Sequence, residues 1–215
     1  MKKKNLIITN ILLGLFILLT ISLLFIDVKV IGESNKEIGF ALINRIFGKI
    51  EYNEFLDKSS DVFLVLSIVL IFSFALIGLI QLIKRKSLFK VDKKIIVFGI
   101  FLVVVAVLWI IFDKFIILNY RPILIEGELE ASYPSTHIML VSYTLLASVE
   151  LLVKYIKSPK VRVAIRITSI IFIVATIILR FISGMHWLTD CIGGALLGIG
   201  LYFAFLTFSQ EKMRK

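Results

Sequence analysis

Six stretches of this chain are apolar for about the 18–20 residues that cross a bilayer core, and charged residues gather in the gaps between them. They fall at 6–26, 62–83, 95–112, 136–153, 163–182 and 187–208. A soluble domain is about 45–50% apolar and about 25% charged. Here 59% is hydrophobic and 19% charged, so water is the wrong solvent for much of the surface. The expected fold is all-α: a polytopic bundle of six transmembrane helices forming one membrane-embedded domain over 1–215. Glu150 and Arg166 interrupt the fourth and fifth runs, but near one end, where long side chains snorkel. Glu150 also stands four residues before Lys154, a helical pairing distance. The first run follows Lys2-Lys3-Lys4 as a secretory signal does. It is long for a signal core and lacks a small-residue cleavage site, so a retained span is expected.

The gaps alternate in charge. Lys2–Lys4, 84–94, 154–166 and the C-terminal tail hold 17 of the 25 Lys and Arg, against Asp92, Glu150 and Glu211, a net +14. The other set holds 8 cations and 12 acids, a net −4. The positive-inside rule puts the first set and both termini in the cytoplasm, and suits a plasma-membrane protein. The inner cations fit orientation and anionic headgroups, not nucleic acid. The first outer segment, 27–61, repeats Ile38, Leu42, Ile46 and Ile50 every four residues beside Phe47, with Lys36, Glu37, Asn44, Arg45 and Lys49 between them. A short amphipathic helix is expected there, either on the membrane surface or as a lid on the bundle. Cys191, the single cysteine, excludes an internal disulfide or a multi-cysteine metal site. Gly194-x3-Gly198 suits close helix packing. Tyr120, Tyr133 and Trp187 stand where interfacial aromatics are expected.

Three polar clusters stand at the ends of apolar runs: Lys114-x6-Arg121-Pro122, Tyr133-Pro134-Ser135-Thr136-His137 and Arg180-x5-His186-x3-Asp190. The charge pattern assigns all three to the outer face. They hold both histidines of the chain. Their chemistry suits phosphoryl transfer, which needs the phosphate charge neutralised, a nucleophile in line and a proton for the leaving oxygen. Lys114, Arg121 and Arg180 supply fixed positive charge. Pro134-Ser135-Thr136 reads as a helix start, whose unpaired N–H groups favour an anion. Asp190 lies one helical turn from His186, so it can hold one ring nitrogen and leave the other to attack. His137 then remains as the general acid.

In order and spacing, these clusters resemble the signature of the type 2 phosphatidic acid phosphatase superfamily, K-x6-RP, PSGH and SR-x5-H-x3-D. Lys114, Arg121 and Pro122 match the first element; Pro134, Ser135 and His137 the second; Arg180, His186 and Asp190 the third. The resemblance implies a lipid phosphatase that uses neither metal nor other cofactor and works through a phosphohistidine. His186 would be the nucleophile, Asp190 its orienter and His137 the acid. Lys114, Arg121, Ser135, Arg180 and the Thr136 N–H would bind phosphate. Two positions depart from the pattern. Thr136 replaces the family's Gly, which matters only if that position needs φ > 0. Leu179 replaces its Ser, which removes one hydroxyl.

The partners so implied are the bilayer and a lipid phosphate within it. An outward-facing site suits undecaprenyl diphosphate, whose diphosphate is left on the outer leaflet. Phosphatidylglycerophosphate and phosphatidate are the alternatives within the enzyme class. Outside it stands a catalytically silent lipid-phosphate-binding protein or transporter. A vanadium haloperoxidase shares the family pocket, but those enzymes are larger and soluble. The oligomeric state is not legible.

Overall fold

A computed structural model describes residues 2–47 and 51–210. Lys49 and Ile50, and the tail residues Glu211, Lys212, Arg214 and Lys215, lie outside the described residues. Among the described residues, five helices are long and apolar enough to cross a membrane: α1 (Lys2–Ser22), α3 (Glu54–Arg85), α4 (Lys93–Ile110), α6 (Pro159–Ile182) and α7 (Leu188–Ser209). Of these, α4 runs on through a π-helical turn, Ile111–Phe115. The fourth expected span is α5 (Thr136–Leu152), which is apolar but shorter, at 17 residues.

Burial explains the difference. α5 is the central helix and packs against α3, α4, α6 and α7. Eleven of its residues are buried, including Ser142, Thr144 and Ser148. A helix surrounded by protein can carry hydroxyls that a lipid-facing helix cannot. The outer helices are inside-out by comparison. Only 11% of the apolar window of α3 is buried, against 56% for α7. Leu18, Phe72, Val103 and Ile171 lie on the exposed surface, where lipid tails are their solvent.

The expected glycine contact is present between α7 and α5. A Cβ on Gly194 would stand 2.5 Å from the Ser135 carbonyl oxygen, and one on Gly198 2.6 Å from that of Met139. Both obstacles are backbone and cannot turn aside. Gly194→Ala is therefore expected to lower stability by about 1–3 kcal/mol. Because Ser135 opens the helix that carries His137, activity should fall with it. Thermal unfolding in detergent, read beside the phosphatase rate, checks this; an unchanged melting temperature would show that α5 and α7 sit further apart.

The first outer segment differs from expectation. It contains a two-stranded antiparallel hairpin, β1 (Lys29–Ile31) and β2 (Lys36–Ile38), and then a short helix, α2 (Ala41–Phe47). Ile38, expected on the helix, belongs to β2 and is fully buried. The helix packs on the bundle by one face. Its Asn44 is buried and donates to Thr189 Oγ1 of α7 (3.1 Å), while Leu42, Ile43 and Ile46 face outward.

The segment also ends early, because α3 begins at Glu54 and not at 62. Asn53 caps it by accepting from the Leu56 N–H at 3.0 Å, and Glu54 pairs with Lys58 one turn on. Outside lipid, a capped and ion-paired turn needs no apolar residues. Tyr133 and Trp187, expected as interfacial anchors, are buried instead. The Tyr133 ring stacks on Phe16, and its hydroxyl lies 2.7 Å from Thr20 Oγ1. Glu150 pairs with Arg166 of α6 at 3.3 Å, and Lys154 reaches Asp92 at the start of α4.

Candidate active site

The three clusters arrive from three places and meet at one end of the bundle. Lys114 lies on the π turn after α4, and Arg121 on the extended segment that follows. Thr136 and His137 open α5; Arg180 closes α6; His186 lies in the short link to α7, and Asp190 in the first turn of α7.

Arg180 is the centre of the arrangement. It is 2% exposed, and its two terminal nitrogens serve different partners. Nη1 is ion-paired with Asp57 Oδ1, and Nη2 lies 3.1 Å from His186 Nε2. A guanidinium has donors only, so Nε2 of His186 must be the acceptor. That nitrogen therefore carries its lone pair. Burial, reinforced by the charges of Arg180 and Arg121, holds His186 well below the ordinary imidazole range. The ring is kept neutral, as a nucleophile requires.

Asp190 lies close to that ring but is bonded elsewhere. Its Oδ2 accepts from the Trp187 N–H at 3.0 Å, and its Oδ1 from Asn119 Nδ2 at 2.8 Å. The gap from Oδ2 to His186 Nδ1 is 3.7 Å, beyond hydrogen-bond length. The spacing of four residues does bring the two together. It does so through a capping turn, because α7 begins at Leu188, after the histidine.

His137 has the opposite arrangement. Its Nε2 lies 3.0 Å from Asp61 Oδ1, and an ionised carboxylate can only accept, so this nitrogen carries a proton. The two histidines thus present opposite faces of imidazole chemistry at the same atom.

Arg121 Nε donates to Glu130 Oε2 at 2.8 Å, and its Nη1 is buried without a protein partner among the described residues. Arg180 Nε and Ser135 Oγ are in the same condition. Lys114 is exposed and pairs with its neighbour Asp113 at 2.8 Å. Thr136 is the first residue of α5 and is helical, so its position does not need φ > 0 and threonine fits it. The first N–H groups of α5 lack intrahelical acceptors, as at any helix start.

Two cavities join these groups. A small one of about 50 Å³ is lined by Arg121, Pro134, Thr136 and His186. A larger one of about 600 Å³ is lined by Lys114, Arg121, Thr136 and His137. A third, almost wholly apolar, runs between α3, α4 and α5; it measures about 480 Å³ and is lined by Leu64, Ile68, Leu102, Val105 and Met139. Trp109 and Thr136 border all three. A separate cavity of about 610 Å³ lies between the β1–β2 hairpin and residues 122–124; Pro122 borders it, but none of the charged or histidine residues of the clusters does.

The structure adds five residues that the clusters did not announce. Asp57 and Asp61 come from the polar start of α3, Asn119 holds Asp190, Glu130 holds Arg121, and Trp109 joins the cavities. For the two aspartates a signal existed. They stand four residues apart just before an apolar run, on one face of any helix that begins early.

Residues 113–214 match the model of the PAP2 superfamily. That stretch contains all three clusters. No curated protein sequence matches significantly. Among solved structures, the fold is similar to that of a transmembrane PAP2-type phosphatidylglycerolphosphate phosphatase from Bacillus subtilis. The TM-score is 0.63 and the sequence identity 21%, over 93% of this chain and 94% of that one. The family match spans all three clusters and is carried on a membrane fold, so residues 113–214 are a PAP2 superfamily segment, and the two findings together support a membrane lipid phosphatase.

Proposed function

We propose that the enzyme works without a metal, through a phosphohistidine on His186, and that its substrate is undecaprenyl diphosphate. One observation carries the reading: a polar chamber, lined by Lys114 and Arg121 with Asp113, Glu128 and Glu130, meets an apolar groove at Trp109, Thr136 and His137. A lipid diphosphate has the same two parts, an anionic head and an apolar tail. The orphaned donors on Arg121, Arg180 and Ser135 suit the oxygens of a tetrahedral anion. His186 Nε2 attacks the terminal phosphorus as the anhydride bond to the lipid phosphate breaks, and the departing phosphate oxygen takes a proton from His137. Water then attacks the phosphohistidine and returns a proton to His137, the P–N bond breaks, and phosphate departs.

The charge pattern supports a plasma-membrane protein with both termini in the cytoplasm and this site on the outer face. The basic segments meet at one end of the bundle, where Lys93 Nζ reaches Gln210 O at 2.9 Å and Arg166 reaches Glu150. An outward site suits the carrier lipid, whose diphosphate faces outward. The activity named for the Bacillus subtilis protein of similar fold supports phosphatidylglycerophosphate as the second reading.

A panel of undecaprenyl diphosphate, phosphatidylglycerophosphate and phosphatidate, assayed on purified protein with and without EDTA, tests both points. The expected result is fastest turnover of the polyprenyl diphosphate at a rate the chelator leaves unchanged. A rate abolished by EDTA would overturn the metal-free mechanism, and preference for a glycerophospholipid would overturn the substrate.

A further inference from the structure

The acid of the reaction has a partner from outside the three clusters. We propose that Asp61 is the positioning residue of His137, holding its ring in one orientation and one tautomer through both steps of the reaction. This rests on the reading of His137 as the general acid.

Three contacts pin the start of α3 to the site, so Asp61 is not a loosely placed surface carboxylate. The Asn53 N–H donates to Ser183 O at 3.0 Å, just before the loop that carries His186. One turn on, Asp57 grips the buried Arg180. One turn further, Asp61 Oδ1 meets His137 Nε2 at 3.0 Å. The capped first turns of α3 thus act as a rail along one wall, presenting its two carboxylates at helical spacing, one to the phosphate-binding cation and one to the acid.

The contact decides which nitrogen works. With Nε2–H committed to Asp61, Nδ1 is the atom left for the substrate. In the first step Nδ1 of the imidazolium gives its proton to the leaving oxygen while the P–O bond breaks and the His186 P–N bond forms. In the second, the same Nδ1 lone pair takes a proton from the attacking water as the P–N bond breaks. Asp61 remains a carboxylate throughout. An imidazole free to rotate would lose this geometry between the steps. The location fits the task, since His137 borders both the polar chamber and the apolar groove, where the lipid-side oxygen must lie.

The test uses two substrates that differ in their need for a proton. Phosphatidate in detergent micelles leaves as an alcohol and requires an acid. p-Nitrophenyl phosphate leaves as a stable phenolate and does not. The two are compared throughout on kcat/KM, which for the nitrophenyl ester reports phosphoryl transfer to His186 and not the later hydrolysis. Asp61→Asn is expected to lower kcat/KM on phosphatidate about 10- to 100-fold, part of the range for a general acid. It should leave kcat/KM on the nitrophenyl ester within about twofold, and Asp61→Glu should recover most of the loss. Asp61 is half-exposed, so the variant should fold, and its melting temperature provides the control. His137→Ala is run beside it. If His137→Ala is selective for the poor leaving group but Asp61→Asn is not, or if Asp61→Asn is faster than the parent, the role of Asp61 is refuted and the acid stands. If His137→Ala slows both substrates equally, the reading of His137 as the acid fails first, and the proposal with it.

Discussion

His186→Ala is expected to reduce the rate on any lipid phosphate by at least about 10⁴-fold, the scale seen when the nucleophile of a catalytic constellation is removed. Lipid binding should survive, because Lys114, Arg121, Arg180 and the apolar groove remain. Incubation with a radiolabelled lipid phosphate and rapid quenching should trap an acid-labile phosphoprotein in the parent and none in the variant. An undiminished rate in His186→Ala would end the phosphohistidine reading and favour a different nucleophile.

The same residue sets a pH dependence. The buried ring, close to two guanidinium groups, is held below the ordinary imidazole range, so it stays neutral as the pH falls through about 6.5. The acid limb of kcat/KM that this group controls should therefore lie below that pH. Arg121→Gln removes one of the charges and should move the limb upward. A limb at or above the ordinary imidazole value in the parent would show that His186 is not held neutral.

Arg180→Ala should be the most damaging change to the fold near the site. It leaves Asp57 as a mostly buried carboxylate without its cation, and breaking such a pair costs about 3–5 kcal/mol. It also removes the donor to His186 Nε2 and one of the three fixed charges for phosphate. Activity and stability should fall together. The double variant Arg180→Met with Asp57→Asn separates them, because it leaves no unpaired charge. Its melting temperature should return most of the way to that of the parent while activity stays lost. If Arg180→Ala melts where the parent does, the pair is not buried as described.

Much of the site was legible because each cluster is local. A lysine and an arginine seven residues apart, or a histidine and an aspartate four apart, remain neighbours in most folds. The membrane supplied the rest by forcing alternate gaps to alternate faces. What escaped was any residue whose role depends on another element. Asp61 lies 76 positions from the histidine it meets, and nothing in its own neighbourhood reveals that.

Apolarity is also a poor marker of helix ends. Apolar residues report where lipid begins, whereas helices stop where caps and hydrogen bonds stop them. α3 therefore starts eight residues before its apolar run, and those residues carry both aspartates. The hairpin is hidden in the sequence for a related reason: Ile38 lies in register with the apolar positions of α2, so strand and helix share one period.

The length of α3 has a consequence for the membrane itself. Its 32 residues make a rod of about 48 Å, while the hydrocarbon core is about 30 Å thick. The rod is anchored in lipid over its middle, and its projecting end forms one wall of the site. A thinner or thicker bilayer changes the tilt at which such a rod rests. Any such change would act first on the two carboxylates at its tip, so the lipid surrounding this enzyme is mechanically in contact with its chemistry.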